Sequence, residues 1–534
     1  MRHYLAIVAT LFLLATNLTA TVDASTKGNS NILLKEVFTH GSQEQLLQNW
    51  KVESGDPALY SLDAEGIVFN IPEKNKNTQI SLRRSFPIEA LRGYTVYASA
   101  HIRAENITQK QQPWNGAVFR ATLEGRSGVM NSGGGMANVE DLSYPQANIA
   151  VGSFPWTKVG FVFSIPKDTT AAWLEMGMEN VTGKVWFRDI QVTVVKTAEE
   201  DSIVGTVRPP FFKGHSLPRL RGVEVSYAIS EEDIRVLANE WNANVIRWQL
   251  GESTFADGLE TRHYHDILER ELQQFDRVLP LCRKYGLYVV LNLQSLSKRL
   301  FVSRENQDRL VGVWQMLAKR YKGESVILAY DIANEPLQST WQEGAMLWND
   351  LAQRVASEIR KIDTEKPIMI ESELMSLPDG YLTLKPVDVP NVIYSAHVYS
   401  PGDLTHNRVW DENQKPVTYP GVIEKELWNK DRIRQDLAPV VAFQKAHKCH
   451  IFVGEFGAVR WSPGSDEYIK DMIDLFEEYG WDWTYHAYRE WHGWSAEHGP
   501  DIKNESPSPE PTPREKLLRS WFSKNTKPSF TSGR

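Results

Sequence analysis

The spacing of apolar residues changes character near residue 200. From about Ile32 to Val195, short runs alternate apolar and polar positions between turn residues, with no long helical period. Gly66-Ile67-Val68-Phe69-Asn70, Tyr94 to Ala98, Val159 to Phe163 and Lys184 to Phe187 are examples. Regularly spaced strands of this kind predict an antiparallel β-sandwich of jelly-roll type. Gly133-Gly134-Gly135 reads as a loop within it.

After Lys213 the pattern becomes strand, helix, strand, helix. Strand-length apolar runs recur at Leu220 to Val225, Ala243 to Leu250, Leu287 to Leu293 and Val326 to Ala333. They continue at Pro367 to Ile370, Val392 to Val398, His450 to Gly454 and Trp481 to Tyr488. Amphipathic stretches such as Glu231 to Trp241, Arg309 to Tyr321, Met346 to Ile362 and Asp466 to Tyr479 lie between them. Eight such repeats predict an α/β domain, a (β/α)8 TIM barrel. An open doubly wound sheet is the alternative, but no glycine-rich phosphate loop follows the first strand. Thr512 and Pro513 are suited to cap a last helix from Arg514 to Phe522.

The predicted organisation is a leader over 1–24, the sandwich over 30–197, a linker over 198–212 and the barrel over 213–525. Arg2 and His3 precede an apolar run from Leu5 to Ala15, with Val22-Asp23-Ala24 suited to cleavage. That is an export-signal pattern, so a secreted or periplasmic location is expected. The run is shorter than the ~20 residues a spanning helix needs, so stable membrane insertion is not expected. Pro209-Pro210 stiffens the crossing between the two halves.

Composition narrows the function. A formal net charge of −8 argues against nucleic acid as a partner. The 18 Trp supply aromatic faces that suit sugar rings as well as cores. Cys282 and Cys449 both fall in apolar surroundings, and their spacing suggests no metal site. Neither metal nor organic cofactor is expected, and a monomer is the expected state.

Barrel enzymes place chemistry at the C-terminal ends of their strands. The fourth strand ends Asp331-Ile332-Ala333-Asn334-Glu335-Pro336, and the seventh ends Phe452-Val453-Gly454-Glu455-Phe456-Gly457. The sixth ends Ala396-His397-Val398-Tyr399, the second carries Arg247, and the eighth runs toward Arg489-Glu490-Trp491. Two strand-end glutamates suit glycoside cleavage, which needs one group to protonate the leaving oxygen and another to attack the anomeric carbon. A nearby arginine and hydroxyl favour the ionised form of the attacking group, and its charge raises the proton affinity of the other.

With these motifs, residues Pro218 to Phe522 resemble the family-five glycoside hydrolases, the cellulase-like members of the retaining (β/α)8 clan. The resemblance implies Glu335 as acid/base and Glu455 as nucleophile. It implies Asn334 at the sugar 2-hydroxyl, Arg247 and Tyr399 beside the nucleophile, His397 near the acid/base and Trp491 as the platform under the sugar. The family usually carries a histidine where Val290-Leu291-Asn292-Leu293-Gln294-Ser295 places Gln294, a substitution that leaves substrate class open. The closing strands of the first half, Trp156 to Ile190, resemble carbohydrate-binding jelly-roll modules, with Trp114 the candidate stacking residue.

The expected substrate is a β-linked polysaccharide, first a β-1,4-glucan, with β-mannan and β-1,3-glucan as runners-up. Trp341, His492 and Trp494 are candidate subsite walls. An inactive carbohydrate-binding barrel is the reading from another class. Glu371, Glu373 and Glu490 also fall near strand ends and are expected to be solvated or salt-bridged.

Overall fold

The computed structural model describes residues 32–530, except 37, 39–45, 47, 86, 111–114, 126–127, 130–144, 166–168, 197–214, 252–260, 295–298, 339–340, 343, 410 and 425. The export-signal pattern, Trp114, the triple-glycine loop and Pro209-Pro210 lie outside the described residues.

The first half is two antiparallel sheets face to face. One runs Tyr60–Asp63, Gly66–Ile71, Gly183–Lys196, Thr95–Ile107, Gly152–Ser164, with Ile32–Glu36 also paired to Gly183–Lys196. The other runs Lys51–Ser54, Gln79–Ser85, Ala171–Glu179, Gly116–Gly125, Gly128–Val129. The two-residue period decides which side faces in. Val96, Ala98, Ala100, Ile102 and Ala104 are all buried, and so are Ala117, Phe119, Ala121 and Leu123 on the opposing sheet. Phe119 and Phe161 meet edge-on at 5.4 Å between ring centres in the core they form.

The second half is a closed barrel of eight parallel strands: Arg221–Val225, Val245–Leu250, Tyr288–Leu293, Ile327–Asp331, Ile368–Glu371, Val392–Val398, His450–Phe456 and Asp482–Tyr485. Pairing of Gly222 with Thr484 closes the ring. All eight predicted strands are present. The fourth and eighth are shorter than their apolar runs because the chain leaves the ladder at Ile332 and His486 to form the mouth.

Inward positions repeat every second residue, and their chemistry changes with height. Leu220, Val245, Val290, Ala329, Met369, Ile393 and Phe452 form an apolar plug at the base. Two residues further along several strands come Arg247, Asn292, Asp331, Glu371 and Ser395, all fully buried. The barrel is therefore oily below and ionic above.

Helices cover the ring, several of them with capped starts. Ser230 and Asp233 form a reciprocal capping box on Glu231–Asn239. Thr512 accepts from the Glu515 amide at the head of Pro513–Phe522, as its sequence predicts. The helix between the second and third strands runs from Thr261 to Tyr285. No helix among the described residues is long and apolar enough to cross a membrane.

The two halves touch. Tyr97, on an outer face of the sandwich, packs edge-on against Trp341 at 5.3 Å, and Val162 joins the barrel's hydrophobic cluster. Trp341, a candidate subsite wall by sequence, is buried in this contact, and its indole N–H donates to the Ala345 carbonyl.

Candidate active site

Arg247 stands at the centre of the upper barrel, fully buried. Its Nη1 donates to Oε1 of Glu224 and to Oε1 of Glu455, each at 2.7 Å. Its Nε donates to Asp331 at 2.9 Å, and Nη2 donates to Glu371 and to the Asn334 carbonyl oxygen, each at 2.8 Å. One guanidinium thus serves four carboxylates from four strands, the fork geometry for which arginine is suited.

Glu455 reaches the interior through an irregularity. Register shifts between Ala396 and His397, so that His397 lies opposite Glu455. Gly454 is needed there, because a β-carbon would come within 2.9 Å of His397 Nε2. Besides Arg247, Glu455 accepts a hydrogen bond from the Tyr399 hydroxyl at 2.9 Å. Burial pushes its proton affinity up, but His397, His486 and Arg247 outweigh burial and hold it well below the usual carboxylate range.

Glu335 is shifted the other way. Burial raises its pKa, and the charges of Glu455 and Glu371 add to that, against the opposing hydrogen bond from His397. His397 Nδ1 lies 2.9 Å from Glu335 Oε1 and 3.6 Å from Glu455 Oε1. A carboxylate oxygen of Glu335 and one of Glu455 lie within 4.8 Å of each other, with His397 in the same group. Two neighbouring glutamates, one held charged and one favouring its proton, are suited to dividing acid and nucleophile roles between them.

The other sequence candidates are placed as follows. Gln294 follows the third strand and donates to Glu224 at 3.3 Å. Asn334 is tied to Arg247 and buried. Trp491 stands farther along the chain than His486, the residue that follows the eighth strand and whose charge acts on Glu455. Trp491 packs edge-on against Trp494 at 4.9 Å, and Trp494 in turn lies 4.9 Å from the His486 ring. The strand end thus carries an imidazole, with the Trp494 indole against it and Trp491 against Trp494.

Sequence reading passed over Glu224, Asp331 and His486, and it expected Glu371, Glu373 and Glu490 to be solvated or salt-bridged. Glu371 is salt-bridged, to Arg247, and fully buried inside the site, while Glu490 accepts from Gln249 at 3.1 Å. Glu373 is held by Gln338 at 2.6 Å and Thr383 at 2.7 Å, away from Arg247's contacts. A signal existed: acidic residues ending apolar strands, as in Ile327–Asp331 and Ile368–Glu371, are costly to bury without a shared cation.

Among the described residues, three clusters have metal-ligand composition: Glu224–Glu455–His486, Glu335–His397–Glu455 and His215–His450–Asp482. The first two already belong to the network around Arg247. In the third, His215 and His450 reach one oxygen of Asp482 at 2.7 and 2.8 Å. The Leu217 amide donates to His215 Nδ1, so Nε2 carries the proton and donates to Asp482. That arrangement is a hydrogen-bonded staple at the base of the barrel.

A closed parallel barrel with two glutamates of opposite proton affinity at one mouth defines a glycoside hydrolase. Residues 210–492, more than half of the chain, match the family described as Cellulase (glycosyl hydrolase family 5), and the chain belongs to that family. It is similar to Endoglucanase C of Acetivibrio thermocellus, 29% identical over 255 residues that cover 41% of this chain and 73% of that protein. It is also similar to Cellodextrinase A of Ruminococcus flavefaciens, 22% identical over 47% of this chain and 76% of that one. Among solved structures, Thermotoga maritima Cel5A in complex with cellobiose is 21% identical and covers 59% of this chain and all of its own, with a TM-score of 0.46.

Proposed function

We propose that the protein is a secreted retaining β-glycanase acting on a β-1,4-glucan. Glu455 attacks the anomeric carbon and Glu335 protonates the departing oxygen. Water then releases the glycosyl-enzyme with Glu335 as base, because esterified Glu455 no longer carries the charge that favours the Glu335 proton. The observation that carries this reading is the oxygen separation within 4.8 Å, with opposite proton affinities on the two sides. Inverting pairs stand about 6.5–9.5 Å apart to admit a water, and retaining pairs about 5–5.5 Å.

Several relatives carry endoglucanase names, which supports a glucan as substrate. The runs Arg2-His3 and Leu5 to Ala15 support export. The likeness of Trp156 to Ile190 to carbohydrate-binding modules supports a polymer-holding role for the sandwich.

The test is reducing-sugar release from β-1,4-glucan, β-1,3-glucan, mannan and xylan by wild type, Glu335→Gln and Glu455→Gln. Release from β-1,4-glucan that falls in both variants by about 10²-fold or more, the scale of a lost general acid, supports the reading. Release confined to mannan or β-1,3-glucan moves the substrate to that polymer. Sugar binding without release from any polymer supports an inactive barrel.

A further inference from the structure

Glu371 ends the fifth barrel strand and has no exposed surface. Its Oε2 accepts the backbone N–H of Glu335 at 2.7 Å, while its Oε1 accepts from Arg247 Nη2 at 2.8 Å. The same Oε1 lies 3.4 Å from His397 Nε2, on the ring whose Nδ1 contacts Glu335. Glu335 itself sits at φ 48°, in the left-handed region that residues with a β-carbon occupy only when their surroundings hold them there. The strained residue's backbone donor is therefore held by a buried carboxylate from the neighbouring strand.

We propose that Glu371 is a positioning residue that fixes the main chain of Glu335 and so aims its carboxyl group at the leaving oxygen. The proposal rests on reading Glu335 as the acid/base. Through Arg247, which also holds Glu455, the same side chain ties the position of the acid to that of the nucleophile. Glu371 is sealed from the substrate space, so it acts through Glu335 rather than on the sugar. A neutral amide at this position has one acceptor for two donors. It must turn its own N–H₂ toward either Arg247 or the Glu335 amide.

The test uses the full chain, with wild type, Glu371→Gln, Glu371→Asp and Glu335→Gln assayed on cellotetraose and on dinitrophenyl β-cellobioside. Dinitrophenolate leaves without a proton, so formation of the glycosyl-enzyme from it does not need the acid. Glu371→Gln is expected to lose about 10²-fold in kcat/KM on cellotetraose and only a few-fold on the activated substrate, following Glu335→Gln in pattern. Glu371→Asp, which keeps the charge, is expected to recover part of the loss. An equal loss on both substrates, or wild-type activity on cellotetraose, overturns the proposal. If neither Glu371 variant folds by circular dichroism, the residue is a fold determinant and the proposal falls. Wild-type behaviour of Glu335→Gln, or no turnover by wild type on either substrate, overturns the acid/base reading, and the proposal with it.

Discussion

His486 supports Tyr399 from behind: its Nδ1 lies 2.7 Å from the phenol oxygen, whose own hydrogen is committed to Glu455 at 2.9 Å. The imidazole must then be the donor in this pair. Burial lowers the ring's proton affinity, but Glu490, Glu455 and Glu224 outweigh it and lift its pKa to about 10. His486 thus favours its cationic form beside Glu455. Replacing it with glutamine removes that charge, so the pKa of Glu455 rises. The acid limb of the kcat/KM profile is expected to move to higher pH. An unchanged limb would separate His486 from the nucleophile.

With Glu335 as the proposed acid, the basic limb belongs to it. Its raised pKa means that the protonated, acid-competent form persists above the ordinary range of a glutamate and is lost as pH climbs through the shifted value. Activity on unactivated oligosaccharides is expected to fall there, while the dinitrophenyl substrate holds its glycosylation rate to higher pH. Pre-steady-state release of dinitrophenol across a pH series checks this.

Arg247→Met leaves Glu224, Asp331, Glu371 and Glu455 facing one another in a buried space. Removing one partner of a buried ion pair costs about 3–5 kcal/mol, and here a single cation is shared. Urea unfolding is expected to show a loss of at least that order. A midpoint like that of wild type would mean that the carboxylates take up protons at little cost.

Asp482 offers the complementary case. It sits at the opposite end of the barrel, bonded to His215, His450 and the Leu220 amide. Burial raises its pKa, but the two histidines more than reverse this, leaving it far below the model-peptide value. A depressed folded-state pKa gives stability that is complete above about pH 4, the unfolded value, and lost as pH falls below it. Asp482→Asn is expected to lower stability by about 3 kcal/mol while kcat/KM on soluble substrate stays within a few-fold. Paired denaturation and kinetic assays read both quantities.

Cys282 and Cys449 are free and buried, and burial lifts each thiol pKa to about 12. Native protein is expected to resist a disulfide-exchange reagent and to release two equivalents of reporter in denaturant. Labelling of the folded protein at either position would indicate local opening of the barrel wall.

The barrel was legible because its strands are buried on both sides and read as unbroken apolar runs, while its helices keep a 3.6-residue period. Glu335 and Glu455 were legible because each follows a run that must end at the mouth. His397 and Tyr399 were read from the sixth strand by the same logic. The structure brings all four together around Arg247.

What escaped depends on facing and phase. Glu224 and Asp331 lie inside apolar runs, where a lone acid reads as an accident until inward-pointing neighbours from other strands supply the cation. His486 escaped because the eighth strand stops at Tyr485, earlier than its apolar run, and the reading carried on to Trp491. The register shift that turns Glu455 inward leaves no trace in alternation except Gly454.

The sharing of one guanidinium among four carboxylates also bears on how such a site can diverge. A charge change at Glu224, Asp331, Glu371 or Glu455 alters what Arg247 must balance for the other three, so the five positions are bound to drift as a block. A descendant that adopts a new sugar has freer material in the rim, where Gln294 and Trp491 carry no charge that Arg247 must balance. Selection can rewrite what the mouth accepts long before it can touch the ionic layer beneath.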